Sequence, residues 1–259
     1  MQALHIAASG MVAQQHNTEV VANNLANMNT SGYQRRRTEF HDLLYNQVAR
    51  KDSVSSRAGD VVPSGVQQGH GVRLASIYRI AEQGNLQSTD NAFDLAIQGR
   101  GYFQVLLPNG DTAYTRAGAF QLNGQGQLVT QDGFTIQPGV LIPPGAVDVT
   151  INATGDVLVK LDGATVPTNA GTLQIATFPN EAGLISLGDN LFRESRASGP
   201  ANAGPPGAAG FGSVLQGFIE TSNVDPVTEI AALIAAQRAY EMNSKVIQTA
   251  DQMLAPSRN

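Results

Sequence analysis

The N-terminal part of the chain carries apolar and small residues at helical spacing. Steps of three and four residues separate the positions of this stripe, which are Leu4, Ala8, Met11, Gln15, Thr18, Val21, Leu25 and Met28. Such steps place side chains on one face of an α-helix, whereas a half-buried strand repeats every second residue. The turn-forming run Thr30-Ser31-Gly32 follows directly. The pattern therefore predicts a helix over residues 1–29.

A second helix is predicted at the other end of the chain. Asp225 is a suitable N-cap, Pro226 occupies a position where a missing N–H costs nothing, and Glu229 places negative charge near the N-terminus. The helix is expected to end near Leu254, because Pro256 follows. Its stripe has heptad-like spacing with polar interruptions and comprises Ile230, Leu233, Gln237, Tyr240, Ser244, Ile247, Asp251 and Leu254.

Between the predicted helices the periodicity changes to two, which is typical of strands. Residues 102–107 and 112–115 flank Asn109-Gly110, and an Asn-Gly pair favours a two-residue type I′ hairpin turn because both residues tolerate positive φ. The other predicted strands, several of them separated by further Asx-Gly pairs, are residues 119–122, 127–130, 134–137, 156–161, 173–178 and 214–221. The pattern predicts an antiparallel sheet or small barrel, with an exposed Gly/Pro/Ala-rich loop at residues 198–212.

Residues 46–71 show no clear period. A structureless stretch of this length is uncommon inside a compact domain, so we interpret it as an extended arm that contacts another molecule. The predicted fold class is α+β, with paired N- and C-terminal helices, an antiparallel β-rich middle and this arm. The predicted segments are the N-terminal helix in 1–35, the arm in 36–71, the β-rich middle in 72–222 and the C-terminal helix in 223–259.

The two terminal helices are expected to depend on self-association. Burying one apolar stripe per helix does not offset the conformational entropy lost when about 30 residues become ordered. We therefore hypothesise that the ends become ordered when several copies pack together. The amides of Gln15 and Gln237 within the stripes either fix the register between packed helices or simply face solvent.

Composition limits the classes of partner. The 259 residues include 16 Lys and Arg against 21 Asp and Glu, a net charge of −5, and only 14% of residues are charged. About 25% is usual for a soluble domain. This balance argues against nucleic acid as the main partner, and a weakly charged surface suits direct packing between neighbours. The absence of cysteine excludes disulfides and thiolate metal sites.

The sequence predicts no catalytic, cofactor or metal site. The four histidines lack metal-ligand spacing, and neither a nucleophile elbow nor a phosphate-binding loop is present. Arg35-Arg36-Arg37 is the one concentrated basic run, and we interpret it as a solvated face or a subunit salt-bridge site rather than a phosphate clamp. Because the first basic residue is Arg35 and no apolar stretch approaches ~20 residues, neither a cleaved signal peptide nor a membrane span is expected.

Motifs throughout the chain resemble those of bacterial flagellar axial proteins of the rod and hook. The N-terminal signature is Ala22-Asn23-Asn24-Leu25-Ala26-Asn27 followed by Thr30-Ser31-Gly32-Tyr33. The C-terminal signature is Ser222-Asn223-Val224-Asp225 followed by Gln237-Arg238-Ala239-Tyr240-Glu241-Met242-Asn243-Ser244-Lys245. The middle of the chain matches through residues 93–103 and 114–118. Within this family the length, the single β-rich middle and the arm resemble the distal-rod branch, and the proximal-rod branch is the competitor.

The resemblance implies a subunit of a hollow helical drive shaft. In such proteins the terminal helices form an inner coiled-coil layer and the β domain an outer layer. The shaft crosses the periplasm inside the P- and L-ring bushing, transmits torque from motor to hook and lets later subunits pass through its lumen. Implied partners are further copies of the chain, proximal rod proteins, the hook protein, the ring proteins and the flagellar type III export apparatus.

The resemblance also assigns roles to residues. Apolar contacts between helices are expected from Leu4, Met11, Leu25, Ile230, Leu233, Tyr240, Ile247 and Leu254. Directional hydrogen bonds between subunits are expected from Asn23, Asn24, Asn27, Gln237, Arg238 and Asn243. The arm, including Pro63, Gly65 and Gly71, is expected to brace neighbouring subunits against bending.

Two other classes of function compete with this interpretation. A soluble β-rich binding module with helical oligomerisation ends would form a discrete oligomer instead of an open-ended filament. A cell-wall hydrolase would need convergent acid, base or nucleophile residues, and the sequence offers no such set.

Overall fold

The computed structural model describes residues 2–47, 67–163 and 166–254. Two long helices stand at the ends of the described chain, α1 over Gln2–Ala26 and α2 over Pro226–Leu254. Asp225 caps α2 as predicted, since its carboxylate accepts the Val227 N–H at 3.2 Å. The helix–sheet–helix order confirms the α+β fold class.

Short strands occupy most of the chain between the helices. In chain order they are β1 Arg36–Asp42, β2 Tyr45–Gln47, β3 Gln67–Gly69, β4 Val72–Arg79, β5 Leu86–Ser88, β6 Leu95–Gln98, β7 Tyr102–Leu106, β8 Thr112–Thr115, β9 Gln121–Leu122, β10 Leu128–Val129, β11 Thr135–Gln137, β12 Ala146–Ile151, β13 Asp156–Leu161, β14 Thr168–Thr172, β15 Ile175–Thr177, β16 Ile185–Gly188, β17 Leu191–Arg193, β18 Asn202–Gly204, β19 Ser213–Gln216 and β20 Phe218–Glu220. One short 3₁₀ helix covers Glu181–Gly183.

The chain divides into two compact units. The helical unit comprises Met1–Leu25, Arg36–Tyr78 and Asp225–Asn259, and the β unit comprises Ala26–Arg35 and Arg79–Val224. The helical unit thus combines both terminal helices with the paired strands β1 and β4. The residues between α1 and β1 belong to the β unit, although their sequence had suggested only a helix end.

A nine-stranded antiparallel sheet organises the β unit. Its main path runs β16-β17-β8-β7-β11-β10-β9, and β15 pairs with both β7 and β18. A three-stranded sheet, β12-β13-β14, and the pairs β19-β6 and β20-β5 complete the unit. The predicted hairpin is present as β7 and β8, with Leu106 opposite Thr112.

Strand β7 separates two apolar cores because successive side chains of a strand point to opposite faces. Phe103 packs into the larger core with Leu95, Ile136 and Ile175. Its neighbour Tyr102 enters a smaller aromatic core instead. That second core contains Tyr102, Tyr114, Ala176, Phe178, Leu184 and Phe192. Burial on both faces explains why β7 is almost continuously apolar.

The prediction of type I′ turns is wrong. Gly110 has a φ of +86°, but within the described residues Asn109 is not among those with positive φ, as a type I′ turn requires. The Leu107 N–H bonds to the Asp111 carbonyl, so the connection contains three residues and ends in a glycine bulge. Asn109 instead stabilises the turn through its side chain, which accepts the Asp111 N–H at 3.1 Å.

The last predicted strand and the preceding loop also differ from expectation. Residues 214–221 form two strands rather than one, because Gly217 adopts a φ of +75° between β19 and β20. The loop at residues 198–212 is not uniformly exposed. Ser198 is fully buried, and β18 within the loop pairs with β15.

The described ends of the predicted arm form a pair of strands. Strand β2 pairs antiparallel with β3, and Asn46 lies opposite Gln68. Pro63 and Gly65 lie outside the described residues. Gly71 has a φ of +108°, and a Cβ there would overlap Ser9 of α1. Because Ser9 Oγ also accepts the Val72 N–H at 3.3 Å, Gly71 allows β4 to begin directly against α1.

Candidate assembly surfaces

Two contacts define the register of α1 against α2. A Cβ added to Gly10 would lie 2.9 Å from Asn243 Nδ2, and Asn24 Nδ2 lies 3.2 Å from Glu229 Oε2. The step from residue 10 to 24 equals the step from 243 back to 229. The helices therefore run antiparallel. Each step of one residue forward along α1 corresponds to a step of one residue backward along α2.

Small side chains make the buried faces of the two helices. The buried apolar residues are Ala7, Ala13, Val20 and Val21 in α1, with Ala236 and Ala250 in α2. Alanine and glycine allow two helix backbones to approach closely. Several residues of the two predicted stripes lie one position after a buried residue, which rotates them about 100° around the helix axis; they are Ala8, Leu25, Ile230, Gln237 and Asp251. The stripes therefore lie beside the contact between α1 and α2, not at its centre.

The predicted assembly residues fall into three classes of exposure. Those half-buried are Leu4, Met11, Leu25, Asn27, Leu233, Asn243 and Ile247. Those exposed are Asn23, Ile230, Gln237, Arg238 and Tyr240. Asn24 is buried, and Leu254 is the last residue of α2. Most of the apolar residues proposed to pack between subunits thus keep exposed surface in the single chain.

A groove of about 370 Å³ follows the α1–α2 pair on the side of the predicted stripes. It is lined by Gln15, Thr18, Glu19, Gln237, Tyr240 and Glu241. The His16 ring nitrogen Nδ1 and the Gln15 amide each lie 3.1 Å from the Glu19 carboxylate. These hydrogen bonds, that of His16 above all, lower the pKa of Glu19 below its usual value. Glu19 therefore remains ionised at neutral pH, and the groove carries negative charge.

Asn24 of the N-terminal signature is used inside its own subunit. Its Nδ2 donates to the Arg36 carbonyl at 2.8 Å and to Glu229, while its Oδ1 accepts the Arg36 N–H at 2.8 Å. Nearby, Thr38 Oγ1 donates to Asn17 Oδ1 at 2.8 Å. The buried amide of Asn24 thus bonds to α2 and β1 of its own subunit, and its expected hydrogen bond to another subunit stays a prediction.

Asn223 of the C-terminal signature joins three segments within the β unit. Its Oδ1 accepts the Arg35 N–H at 2.7 Å, and its Nδ2 donates to the carbonyls of Ile80 and Glu82 at 3.1 and 2.9 Å. Its own N–H bonds to the Tyr33 carbonyl at 3.3 Å. The Asn223 side chain thereby holds together three segments of the chain. They are the segment before β1, the segment after β4 and the segment before α2.

A buried ion pair lies beside this junction and was missed at the sequence level. Arg116 lies 2.9 Å from Glu220, and their side chains are only 4% and 2% exposed. Arg116 also donates to the Gly99 and Gly101 carbonyls, and Glu220 accepts the Gly84 N–H at 3.1 Å. The signal available in the sequence was that Arg116 and Glu220 are charged residues beside strand-like sequence and lie outside both helical stripes.

The aromatic core contains a tyrosine with a shifted pKa. Tyr102 is fully buried and its hydroxyl donates to Glu181 Oε2 at 3.1 Å. Burial, reinforced by the negative charge of Glu181, raises the pKa of Tyr102 to about 12 from the usual 10.0. Burial likewise raises the pKa of Tyr114. The folded β unit therefore strongly favours the neutral phenols.

Alkaline pH is expected to destabilise the β unit through Tyr102. A phenol whose pKa is higher in the folded state than in the unfolded state stabilises the fold. This contribution is fully present below the unfolded-state pKa near 10.0 and is lost as the pH rises from 10 to 12. The loss assigned to Tyr102 is about 3 kcal/mol, from two pKa units at about 1.4 kcal/mol each. Tyr102→Phe should cost about 1 kcal/mol at pH 8 for the lost hydrogen bond, and the difference should vanish and then reverse in sign toward pH 12, because only the wild type loses the tyrosine contribution. Urea unfolding of both proteins at pH 8, 10 and 11.5 measures this, and a pH-independent difference would contradict it.

The described part of the chain contains neither a metal-binding cluster nor a membrane-spanning helix. Among residues 2–47, 67–163 and 166–254, His, Asp and Glu side chains form no group able to hold a metal ion. Neither helix in the described part of the chain has the length and apolarity needed to cross a bilayer. Arg35 of the basic run lies 3.4 Å from Glu82, while Arg36 and Arg37 are exposed.

Comparison with known proteins places the chain in a family. Residues 4–34 match the model described as flagella basal body rod protein, residues 96–159 the flagellar hook protein FlgE/F/G D1 domain, and residues 215–255 the flagellar basal body rod FlgEFG protein C-terminal model. The flagellar basal-body rod protein FlgG of Caulobacter vibrioides is 60% identical over 98% of this chain and 97% of its own length. The chain belongs to the flagellar basal-body rod family. FlgG of Agrobacterium fabrum is 52% identical and FlgG of Buchnera aphidicola subsp. Baizongia pistaciae 47%, with coverages of 98% and 97% of this chain and 97% and 96% of the relatives.

The terminal matches of the rod family contain the surfaces described above. The N-terminal match includes α1 from Leu4 onward together with Gly32 and Tyr33. The C-terminal match includes Asn223, Glu220 and all of α2. The groove and the segments joined by Asn223 therefore lie largely in the parts of the chain that carry the rod-family signatures.

Proposed function

We propose that this rod-family chain is the structural subunit of the distal rod of the bacterial flagellum. The rod is a hollow helical drive shaft that transmits torque from motor to hook and forms the channel for exported subunits. The chain acts through packing and performs no catalysis. The inner layer is formed by the terminal helices within residues 1–35 and 223–259, the outer layer by residues 72–222, and the arm by residues 36–71.

One structural observation carries this proposal. Apolar side chains remain exposed along both terminal helices of the single chain, including Ile6, Val12, Ile230, Ile234, Tyr240, Met242 and Val246. If all the packing partners of a helix lay within one molecule, its apolar side chains would face the core of that molecule. Exposed apolar surface repeated along the length of a helix pair is suited to contact with neighbouring helices. FlgG relatives over nearly the full chain favour the distal rod over the proximal rod protein.

The proposal places the protein in the basal body, where the rod spans from the periplasm to the outer membrane after export without a cleaved signal peptide. Its partners are copies of itself, proximal rod proteins, the hook protein, the P- and L-ring proteins and the type III export apparatus. Asn23, Asn27, Gln237, Arg238 and Asn243 provide polar contacts between subunits beside the apolar stripes.

Electron microscopy of concentrated purified protein tests the proposed function. We expect open-ended tubes with a central lumen, because contacts between different surfaces of identical subunits propagate without closing. A discrete closed oligomer would instead support the soluble binding module. Filaments without a lumen would contradict the role as an export channel.

Leu233→Asp is expected to abolish polymerisation while the β unit stays folded. Leu233 is half-buried on the predicted stripe, and a carboxylate there must be desolvated when a neighbouring helix packs on it. Pelleting by ultracentrifugation measures assembly, and near-ultraviolet circular dichroism reports the aromatic core of the β unit. Val147→Asp is the matched control, since Val147 is 68% exposed on β12. Polymerisation of Leu233→Asp at the level of this control would contradict the assigned role.

Deletion of residues 46–71 is expected to give a more flexible or bent rod. In this proposal the arm, with Pro63, Gly65 and Gly71, braces neighbouring subunits and keeps the shaft straight. Persistence length measured on negatively stained polymers is the readout. Because Gly71 packs on α1, a deletion of residues 48–66 alone is the control that leaves this contact in place. Rods as straight as wild type in both deletions would refute the bracing role.

A further inference from the structure

Asn223 lies where the chain leaves the β unit. The chain passes between the β unit and the helical unit at four points, which follow Leu25, Arg35, Tyr78 and Val224. Asn223 is beside the last of these points, and its side chain bonds to the backbone of Arg35 and Ile80, which lie beside two others. We call the Asn223 side chain with its partners at residues 35, 80 and 82 the Asn223 junction. The whole junction lies within the β unit.

Two paired strands of the β unit lead to the Asn223 junction. Strand β5 pairs antiparallel with β20, and Leu86 lies opposite Glu220. Residues 80–82 come shortly before β5, and Asn223 comes shortly after β20, so the chain enters and leaves at the same end of the pair. The hydrogen bonds of an antiparallel pair are perpendicular to its strands. A force that draws these two chain ends apart would therefore break the bonds between β5 and β20 one after another.

The Asn223 junction fastens the two chain ends before the strands begin. Asn223 Nδ2 donates to the carbonyls of Ile80 and Glu82 at 3.1 and 2.9 Å, which links the segment before β5 directly to the segment after β20. Asn223 Oδ1 accepts the Arg35 N–H at 2.7 Å, and the Ile80 N–H bonds to the Arg35 carbonyl at 2.9 Å. A force on the chain ends must stretch these bonds together before it reaches the strand pair.

The backbone between the Asn223 junction and the strand pair is closely packed. Glu220 Oε1 accepts the Gly84 N–H at 3.1 Å, and the Thr221 N–H bonds to the Asn85 carbonyl at 2.8 Å. A Cβ added to Gly84 would overlap the Thr221 carbonyl oxygen, so the two segments approach as closely as glycine alone allows. The segments before β5 and after β20 are therefore joined at every step from the junction to the strands.

We propose that Asn223 is the residue that makes the β unit resist mechanical load. Its side chain joins three chain connections into one attachment, so that load on them does not separate β5 from β20. Asparagine suits this role because one planar amide supplies both the donors for two carbonyls and the acceptor for an N–H. The inference rests on the proposed function only for the source of the load, which is the torque carried by a drive shaft.

Pulling on single molecules of the full-length protein along two axes tests this role. The chain contains no cysteine, so handles attach only at introduced thiols. The junction axis uses Ile77→Cys with Val227→Cys, because both side chains are exposed and the chain between them is almost wholly β unit. The control axis uses Val147→Cys with Leu187→Cys, which are also exposed and enclose a segment without the Asn223 junction.

Asn223→Ala should unfold about tenfold faster than the unsubstituted chain at the same force along the junction axis, which corresponds to about 1.4 kcal/mol of the barrier. Along the control axis its unfolding rate should change by less than about twofold, because bonds kept in the transition state do not alter that rate. Asn24→Ala is the matched control variant. Asn24 is also a signature asparagine with three side-chain hydrogen bonds, but they lie in the helical unit, so both rates should stay unchanged.

The comparison of axes distinguishes resistance to load from ordinary stability. Equal acceleration of Asn223→Ala along both axes would mean that Asn223 only stabilises the fold, and this would overturn the inference, as would an unchanged rate along the junction axis. If Asn223→Ala does not fold, Asn223→Ser takes its place, because one hydroxyl does not bond residues 35, 80 and 82 at once. The measurement needs no assembly, so a wild-type protein that forms no tubes contradicts the rod proposal without deciding the role of Asn223.

Discussion

Replacing Arg116 with methionine is expected to lower the free energy of unfolding of the β unit by about 3–5 kcal/mol. Glu220 would then keep a buried carboxylate with no cation, since its side chain is only 2% exposed. The Gly99 and Gly101 carbonyls would also lose their donor, because Arg116 NH1 bonds to them at 2.9 and 2.7 Å. Denaturant unfolding of dilute full-length protein, followed by near-ultraviolet circular dichroism, measures the change.

Arg100→Met is the matched control for this prediction. Arg100 also pairs with a carboxylate, Glu181 at 3.1 Å, but its own side chain is 65% exposed. Exposed ion pairs contribute at most about 1 kcal/mol, so the control should change stability far less than Arg116→Met. Equal effects of the two substitutions would mean that burial of the Arg116–Glu220 pair is energetically irrelevant.

Gly32→Ala is expected to destabilise the junction in the β unit by on the order of 3 kcal/mol. Gly32 has a φ of +68°, and a Cβ would lie 2.6 Å from the Ala117 nitrogen and 2.8 Å from the Arg116 carbonyl carbon. Both atoms are backbone, so the clash is relieved only by moving the chain. The shift would strain the bond from the Gly32 N–H to the Glu220 carbonyl, now 2.9 Å.

Gly110→Ala separates the clash from simple backbone strain. Gly110 has a similar left-handed conformation with a φ of +86°, but no atom lies within 4 Å of an added Cβ. Its substitution should cost only the strain of the conformation, about 1 kcal/mol. Chemical denaturation of both variants gives the comparison, and a Gly32→Ala loss no larger than that of Gly110→Ala would rule out the close approach. Assembly of Gly32→Ala should fail as well, because this segment carries part of the rod-family signature.

The helices and the alternation of strands were predictable because each is a local property. Apolar spacing, the Asp225 cap and the Pro226 position are all contained within a few residues. The type of the Asn109-Gly110 turn was not predictable from the dipeptide, because the same pair suits either a type I′ turn or a three-residue turn with a glycine bulge. Pairing of the flanking strands selected the longer turn.

The buried faces of the helices were displaced from the predicted stripes for a different reason. Apolar periodicity gives greatest weight to large side chains such as Leu233 and Tyr240. The contact between α1 and α2 instead uses Ala236, Gly10 and the amide of Asn243, which carry little hydrophobic signal. The large residues were thereby left beside the groove, where they are available to another subunit.

By itself the sequence determined two terminal helices, an antiparallel β-rich middle and membership of the flagellar rod family, because helix caps, periodicity and signature motifs are written in neighbouring residues. Only the tertiary structure decided that Asn24 serves its own subunit, that Arg116 and Glu220 meet in the interior, and that the two helices share an acidic groove. These features join residues distant in sequence, and the distances between them exist only after the chain has folded.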